Sequence, residues 1–165
     1  MVGWPGTSPN VVSAGGTKVN RVNNNFTNET GWSGSGGGPS AYELRPSYQD
    51  GIAGIVGNKR GTPDFSYDAD PASGVSVYNT NPACGNIQWL KVGGTSVSSP
   101  ALAGIVNSTG GFAASTSVEN TLIYSGLGNP AIFTDITVGQ AGSHQAGPGW
   151  DFVTGVGTDK GKTGK

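Results

Sequence analysis

The hydrophobic residues of this chain fall into short clusters separated by long polar, glycine-rich stretches. Residues 10–14 have the length and composition expected for a short buried strand, and residues 63–67 and 87–92 are predicted as further strands. Residues 75–78 alternate between apolar and polar positions, which predicts a hairpin arm paired with residues 87–92. The glycine pair at 15–16 is expected to close the first strand.

Two helices are predicted. The first follows Ser96, where a stripe of small or apolar residues recurs at helical spacing, formed by Val97, Ala101, Gly104 and Ile105. Pro100 is expected in the first turn of this helix, where the missing N–H costs little. The second helix is indicated by Thr116 and Glu119, which have the spacing of a capping box and precede an apolar run.

The remaining segments are predicted as loops. Residues 18–40 are polar and glycine-rich, which favours a long surface loop, and residues 42–55 are expected to be irregular with one helical turn. Residues 133–158 are expected to form a loop with brief strands. Strands that alternate with helices predict an α/β fold, with a parallel sheet flanked by helices and many loops.

The charge content narrows the classes of function. Only 12% of the 165 residues are charged and the net charge is −1, so the chain carries no nucleic-acid footprint, and no apolar run is long enough to cross a membrane. Few native ion pairs are then available for acid to disrupt, which is compatible with an acid-tolerant secreted protein. The basic run at residues 159–165 is expected to be a disordered tail after a domain of residues 1–158.

A candidate nucleophile lies in the sequence Gly-Gly-Thr-Ser-Val-Ser-Ser-Pro at residues 93–100. A serine at a tight glycine turn that opens a helix is rigid and exposed, and the first helical N–H groups favour negative charge there. Ser96 would still need a base, and the chain has one histidine and three glutamates, none at a convincing spacing. Cys84 is the single cysteine, so no intrachain disulfide forms, and we expect it to be a small buried residue.

Oxygen ligands for a metal are concentrated near the end of the chain. Asp135 and Asp151 bracket a glycine-rich loop whose backbone carbonyls at residues 147–149 are unobstructed by large side chains. Calcium binds six to eight such oxygens, whereas the single cysteine and the single histidine, His144, disfavour zinc. From the residues alone, the two aspartates could instead cap turns.

Several motifs occur together in a recognisable order. They are Ser-Gly-Gly-Gly-Pro-Ser at 35–40, Pro-Ser-Tyr-Gln at 46–49, Pro-Asp at 63–64, Asp-Ala-Asp-Pro at 68–71, Gly-Thr-Ser at 94–96, Phe-Thr-Asp-Ile-Thr at 133–137 and Ala-Gly-Pro-Gly-Trp-Asp at 146–151. In this order the chain resembles the sedolisins, or serine-carboxyl peptidases, a family of endopeptidases with a subtilisin-like fold. The motifs match only the C-terminal half of that family's catalytic domain.

The resemblance implies that Ser96 is the catalytic nucleophile of a secreted peptidase that hydrolyses proteins or peptides in acid. In this family a glutamate, backed by an aspartate four residues later, accepts the serine proton, because a histidine would be protonated. A further aspartate in a Gly-Asp-Ser-Gly turn stabilises the oxyanion. Neither motif exists in this sequence. The residues four places after the three glutamates are Ser33, Ser47 and Ile123, and no Gly-Asp-Ser-Gly turn is present. We therefore expect the isolated chain to be inactive, and to self-associate or pair with the missing N-terminal half.

The resemblance also implies a structural Ca²⁺ site. Its ligands would be the side chains of Asp135 and Asp151 and the carbonyls of Ile136, Gly147 and Gly149, with water completing the shell. His144 is then expected to be a loop residue near this site.

Two other assignments are considered. A subtilisin-type peptidase shares the Gly-Thr-Ser turn, but it needs a histidine upstream of the serine, and His144 lies downstream. A non-catalytic, calcium-stabilised secreted module would have kept the scaffold without the catalytic groups. Asp64 and Asp68 are carboxylates four residues apart, but we expect them to be structural.

Overall fold

The computed structural model describes residues 2–161 and 163–164, with their side chains apart from that of Cys84. Its strands are β1 (Ala14–Val22), β2 (Asn25–Gly31), β3 (Gly38–Leu44), β4 (Lys59–Thr62), β5 (Phe65–Asp68), β6 (Val75–Asn79), β7 (Gln88–Val92), β8 (Phe133–Thr134), β9 (Gln140–Ala141), β10 (His144–Gln145) and β11 (Thr158–Asp159). Its α-helices are α1 (Ala53–Val56), α2 (Thr95–Thr109) and α3 (Thr116–Ser125), and 3-10 helices span Ser47–Ile52 and Pro82–Cys84. The predicted burial of Cys84 falls outside the described side chains.

A five-stranded sheet in the order β2-β1-β5-β11-β8 forms the centre of the molecule. Strands β1, β5 and β11 are parallel, whereas the outer strands β2 and β8 run antiparallel to their neighbours. Helix α2 packs across β1 and β5. The α/β fold with parallel strands flanked by helices is thus confirmed, although the sheet is mixed.

The first predicted strand was misplaced. The glycine pair expected to close it lies inside β1, which begins at Ala14. A Cβ atom on Gly15 would lie 2.3 Å from Ser66 Oγ and 2.9 Å from the Val153 carbonyl oxygen. These glycines therefore allow β1 to approach its neighbours closely and do not form a turn.

The long surface loop expected over residues 18–40 is wrong. Strands β1 and β2 form an antiparallel hairpin. Its turn is made by Asn23 and Asn24, whose φ angles are 51° and 64°. Asparagine tolerates this left-handed conformation, and two such residues suit the tight turns that match the twist of a hairpin. Strand β3 then begins within the same segment, at Gly38.

The hairpin predicted from residues 75–78 and 87–92 is confirmed as the antiparallel pair β6 and β7. Both predicted helices also form, with different details. Pro100 lies beyond the first turn of α2, which buries Ser98 and Leu102 while Gly104 is exposed. Helix α3 is capped by Ser115, whose Oγ accepts the Val118 N–H at 3.3 Å, and Thr116 is the first helical residue.

Residues 133–158 form a loop with brief strands, as predicted. The expected boundary between domain and tail falls inside β11, and Asp159 Oδ1 accepts the Gly164 N–H at 2.7 Å. Lys162 and Lys165 lie outside the described residues. No helix in the described ranges combines the length and apolar character needed to cross a bilayer.

Candidate active site and metal loop

Ser96 lies at the exposed start of α2, one residue after Thr95. Gly94 precedes the helix with φ 105°, a conformation that favours glycine, and its N–H donates to the Ala69 carbonyl at 2.5 Å. Ser98 Oγ donates to the Gly15 carbonyl at 2.7 Å and is fully buried. Contacts to the loop after β5 and to β1 therefore hold the helix start in place, while the Ser96 side chain is accessible.

A cleft of about 510 Å³ lies beside Ser96. One wall is the start of α2, and the other is the segment that leads into β1. The described residues that line it are Pro5, Gly6, Val11, Val12, Ser13, Ala14, Thr95, Ser96, Ser99 and Pro100. Since none of these is a histidine, aspartate or glutamate, the cleft offers Ser96 no base.

Buried polar side chains hold the wall opposite Ser96, and of these the sequence analysis singled out only Asp64. Asp64 Oδ2 accepts the Ser13 N–H at 2.7 Å and an Arg60 Nη2 hydrogen bond at 2.6 Å. Asp64 Oδ1 accepts the Tyr124 hydroxyl at 2.9 Å. Burial alone would lower the pKa of Arg60, but the Asp64 carboxylate raises that pKa, so the guanidinium stays charged. The one signal in the sequence was an arginine four residues before an aspartate in a chain with few charges.

Asp68 has a separate set of contacts. Asp68 Oδ1 accepts the Ser73 hydroxyl at 2.5 Å and the Val19 N–H at 3.4 Å. Asp64 and Asp68 are therefore both engaged with neighbouring groups, which is the structural arrangement expected for them.

Glu29 is a half-buried carboxylate on the outer strand β2, and it contacts side chains of the central strands. Its Oε1 accepts hydrogen bonds from the hydroxyls of Thr17 and Thr158, the latter at 2.9 Å. Burial raises the pKa of Glu29, since these hydrogen bonds offset the desolvation only in part. Glu29 lies outside the set of residues that line the Ser96 cleft.

The two candidate metal-ligand aspartates both contact the loop at residues 147–149. Asp135 Oδ2 accepts the Gly149 N–H at 3.0 Å, and Asp151 Oδ2 accepts the Gly147 N–H at 3.1 Å. Ile136, the third expected ligand residue, follows Asp135 and has a buried side chain. The structure thus brings each aspartate to one glycine of the loop, Asp135 to Gly149 and Asp151 to Gly147. In both cases the contact is a backbone N–H that donates to the carboxylate.

The two carboxylates differ in their surroundings. Asp135 is exposed, whereas Asp151 is buried and its Oδ1 accepts the N–H groups of Val153 and Thr154 at 2.7 and 2.8 Å. Burial raises the pKa of Asp151, against the lowering effect of its hydrogen bonds. Both carboxylates contact amide groups of the same loop, and carboxylate oxygens are ligands that calcium accepts. No cluster of three or more histidine, cysteine, aspartate or glutamate side chains occurs within the described residues.

His144 belongs to strand β10 and not to a loop as expected. Its ring lies 4.7 Å from the Phe152 ring, centroid to centroid. It therefore packs next to Asp151, and it does not line the cleft of Ser96.

Comparisons with known proteins identify similar chains. Sedolisin from Pseudomonas sp. (strain 101) is 34% identical over 180 aligned positions, which cover 95% of this chain and 28% of that protein. Kumamolisin from Bacillus sp. (strain MN-32) is 32% identical over 177 positions, covering 95% of this chain and 30% of that protein. No protein-family model matches the chain.

A solved structure has a similar fold. It is Pseudomonas sedolisin (serine-carboxyl proteinase) complexed with two molecules of pseudo-iodotyrostatin, and it matches with a TM-score of 0.76 at 32% identity. The match covers 94% of this chain and 45% of that chain. This chain thus spans less than half of that solved structure and under a third of the two curated relatives. By sequence and by fold, the chain belongs to the sedolisin family.

Proposed function

We propose that this chain carries the nucleophile-bearing part of a serine-type endopeptidase of the serine-carboxyl class, which hydrolyses peptide bonds in acid. The observation that carries this proposal is the position of Ser96, exposed at the start of α2 and beside an open cleft. Membership of a family with a serine-carboxyl proteinase among its solved members supports it.

The local geometry suits acyl transfer. Ser96 Oγ would attack the carbonyl carbon of the scissile bond, forming an ester as the amine leaves. The hydroxyl proton would pass to a carboxylate base and then to the departing amine. The N–H groups in the first turn of α2 and the positive end of its dipole favour negative charge near the nucleophile.

The proton acceptor must come from outside the cleft described here. A carboxylate with an ordinary pKa of about 4 can accept a proton in acid, whereas a histidine is already protonated. The described residues that line the cleft include neither. The proposed activity therefore needs additional protein, and the isolated chain is expected to be inactive. Protein or peptide substrates and a secreted location are part of the same proposal.

We further propose that Ca²⁺ stabilises the loop between Asp135 and Asp151. The side chains of these two residues, with the carbonyls of Ile136, Gly147 and Gly149, would hold the ion, and water would complete its shell. The oxygen-rich donor set and the position of both carboxylates against the same loop support this assignment. The ion would be structural, because it would connect the loop to the core without contacting Ser96.

One observation favours a second function. The described residues that line the cleft include no carboxylate and no imidazole, as expected for a non-catalytic, calcium-stabilised module that kept the scaffold without the catalytic groups. A subtilisin-type mechanism is disfavoured, because His144 packs against Phe152 away from the cleft lining.

The experiment compares initial rates of peptide hydrolysis in acid. The chain is assayed alone and after mixing with the upstream half of the catalytic domain of Pseudomonas sedolisin. We expect hydrolysis only in the mixture, with a loss of several powers of ten in Ser96→Ala. Ser125→Ala is the control, because this serine is exposed and, among the described residues, its hydroxyl bonds within α3, to the Leu122 carbonyl. A mixture that forms a complex without hydrolysing peptide would favour the non-catalytic module.

A further inference from the structure

A cleft lined by positive charge lies between the β1–β2 hairpin and the β6–β7 hairpin, and we call it the cationic cleft. Its volume is about 460 Å³, and three of the nine lysines and arginines of the chain line it, namely Lys18, Arg21 and Lys91. Neutral hydrogen-bond donors in the same lining are Asn20, Asn24 and Ser76. None of the described lining residues is an aspartate or a glutamate. In a chain with only 12% charged residues, this concentration of positive charge favours an anionic ligand.

Two of the three cations are available to a ligand. Arg21 and Lys91 are exposed, and neither forms an ion pair with another residue that the structure describes. Lys91 Nζ donates to the Ala72 carbonyl at 2.9 Å. This hydrogen bond positions the ammonium group at the cationic cleft without neutralising its charge.

Two carboxylates border the cationic cleft without lining it. Asp70 Oδ2 lies 3.8 Å from Lys18 Nζ, and this pair is weak because the lysine side chain is 41% exposed. Asp68 Oδ1 accepts the Ser73 hydroxyl at 2.5 Å and the Val19 N–H at 3.4 Å. Both carboxylates are engaged with these neighbours, so neither pairs with the two exposed cations.

An aromatic pair continues the cationic cleft along the β6–β7 hairpin. Ser76 pairs with Lys91 across the two strands, and two positions further along Tyr78 pairs with Trp89. Because alternate residues of a strand share a face, Trp89 lies on the face of Lys91, about 7 Å along the strand. Trp89 is 69% exposed and Tyr78 is 50% exposed, and their ring centroids are 5.2 Å apart. An extended peptide has the same spacing, so it fits with an acidic residue at Lys91 and an aromatic residue against Trp89.

Backbone hydrogen bonds connect the cationic cleft to the start of α2. The Thr17 carbonyl accepts the Ala69 N–H at 2.8 Å, and the Ala69 carbonyl accepts the Gly94 N–H at 2.5 Å. Lys91 precedes Ser96 by five residues in the sequence, so their Cα atoms are at most about 18 Å apart. This distance is the span of about five residues of an extended peptide.

We propose that the cationic cleft binds an acidic segment of the polypeptide substrate, about five residues from the bond that Ser96 attacks. This inference rests on the proposed function and names a substrate class for the same site. Ionised carboxylates of the substrate accept charge-assisted hydrogen bonds from Arg21 and Lys91, and salt weakens these exposed pairs. An aromatic side chain two residues further along the substrate packs against Trp89.

The test measures the binding of two capped peptides to the chain by calorimetry, at a pH of about 5, where glutamate is mostly ionised. The probes are Gly-Glu-Glu-Gly-Phe-Gly and its neutral counterpart Gly-Gln-Gln-Gly-Phe-Gly. We expect the acidic peptide to bind about tenfold more tightly, with a difference that shrinks as salt is added. Lys91→Gln and Arg21→Gln should each remove most of this preference. Trp89→Ala should weaken both peptides by the same factor and leave the preference intact.

Lys59→Gln is the matched control. Lys59 Nζ also donates to a backbone carbonyl, that of Tyr42 at 3.3 Å, but Lys59 lies outside the lining of the cationic cleft. The control removes the same charge as Lys91→Gln and should keep the preference for the acidic peptide. Three results would overturn the proposal: no binding of the acidic peptide, equal affinity for both peptides, or an equal loss of preference in the two lysine variants.

Hydrolysis separates a failure of this inference from a failure of the proposed function. The chain mixed with the upstream half of the sedolisin catalytic domain is given two substrates that differ only in two glutamates or two glutamines, about five residues from the cleaved bond. We expect a higher kcat/KM for the acidic substrate. Selective binding without hydrolysis that depends on Ser96 would retain the acidic-peptide site and reject the peptidase. Equal kcat/KM for both substrates without selective binding would retain the peptidase and reject the site.

Discussion

Arg60 Nη2 lies 2.6 Å from Asp64 Oδ2, and neither side chain is exposed to solvent. Asp64 Oδ2 also accepts the Ser13 N–H, and Arg60 Nη2 lies 3.4 Å from the Val11 carbonyl oxygen. The pair therefore connects β4 and the start of β5 to the cleft wall that faces Ser96. Because both charges are desolvated, each depends on the other.

Asp64→Asn should destabilise the fold by about 3–5 kcal/mol, because it leaves a buried guanidinium without its counter-charge. The matched control is Asp70→Asn, which removes a pair whose Lys18 Nζ to Asp70 Oδ2 distance is 3.8 Å and whose lysine is 41% exposed. That pair should contribute at most about 1 kcal/mol. Urea denaturation measures both free energies of unfolding. Equal losses in the two variants would contradict the assignment.

Gly15→Ala should destabilise the fold by about 3 kcal/mol or more, because the added methyl group would meet Ser66 Oγ at 2.3 Å and backbone at 2.9 Å. Gly104→Ala should instead stabilise it by about 1 kcal/mol. Gly104 is exposed in the interior of α2, and its added Cβ would have no neighbour within 4 Å. Thermal unfolding followed by circular dichroism distinguishes the two, and a stable Gly15→Ala variant would refute the close packing of β1.

Calcium should raise the Tm of the chain, and a chelator should reverse the rise. At a calcium concentration of about 100 times Kd, the gain in stability is about 2.7 kcal/mol. Asp135→Ala should remove the calcium-dependent gain but change the metal-free Tm little, since Asp135 is exposed and its side chain accepts one hydrogen bond from a described residue, the Gly149 N–H. An identical melting curve with calcium and with chelator would reject the site.

The calcium effect should also depend on pH. Burial raises the pKa of Asp151 above its ordinary value of 3.8. As the pH is lowered, protons therefore begin to compete with calcium for this carboxylate above pH 3.8. The calcium-dependent rise in Tm should therefore shrink as the pH falls through this raised pKa. A rise that is constant from neutral to strongly acid pH would show that Asp151 is not a ligand.

Glu29→Gln should raise the Tm at neutral pH. The pKa of Glu29 is higher in the folded state than its ordinary value of 4.5, so the folded state binds the proton more tightly than the unfolded state. Stability then increases as the pH falls from above the folded pKa toward 4.5. A glutamine keeps the Oε1 acceptor for Thr17 and Thr158 but carries no charge. The difference in Tm between the two proteins should therefore vanish below pH 4.5, and a constant difference would contradict this explanation.

Local patterns in the sequence predicted the elements that local interactions determine. The alternation at residues 75–78 identified β6, and the small residues after Ser96 identified α2. The start of β1 and the buried Arg60–Asp64 pair were not predictable in this way. Their contacts join residues far apart in the chain, as between Ser13 and Asp64, which are 51 positions apart. The glycine pair in β1 misled the prediction because close strand packing and a turn select the same residue.

In the candidate site too, local sequence predicted some residues, whereas long-range contacts determine others. Ser96 was identified from a turn and helix start that a few consecutive residues encode. The contacts of Asp135 and Asp151 with the loop at residues 147–149 follow from the chain's folding back over 4 to 14 positions. The register of β1 with β2 and β5 had no counterpart in the sequence, because it depends on which distant segments the fold brings together.

If Ser96 is a nucleophile whose proton acceptor other protein supplies, its hydroxyl should react only when that protein is present. The most direct measurement is labelling with a fluorophosphonate probe in acid, followed by peptide mapping, with and without the upstream half of the sedolisin catalytic domain. We expect a covalent adduct on Ser96 only in the mixture, and no adduct in Ser96→Ala. Equal labelling of the chain alone, or an adduct on a different serine, would contradict it.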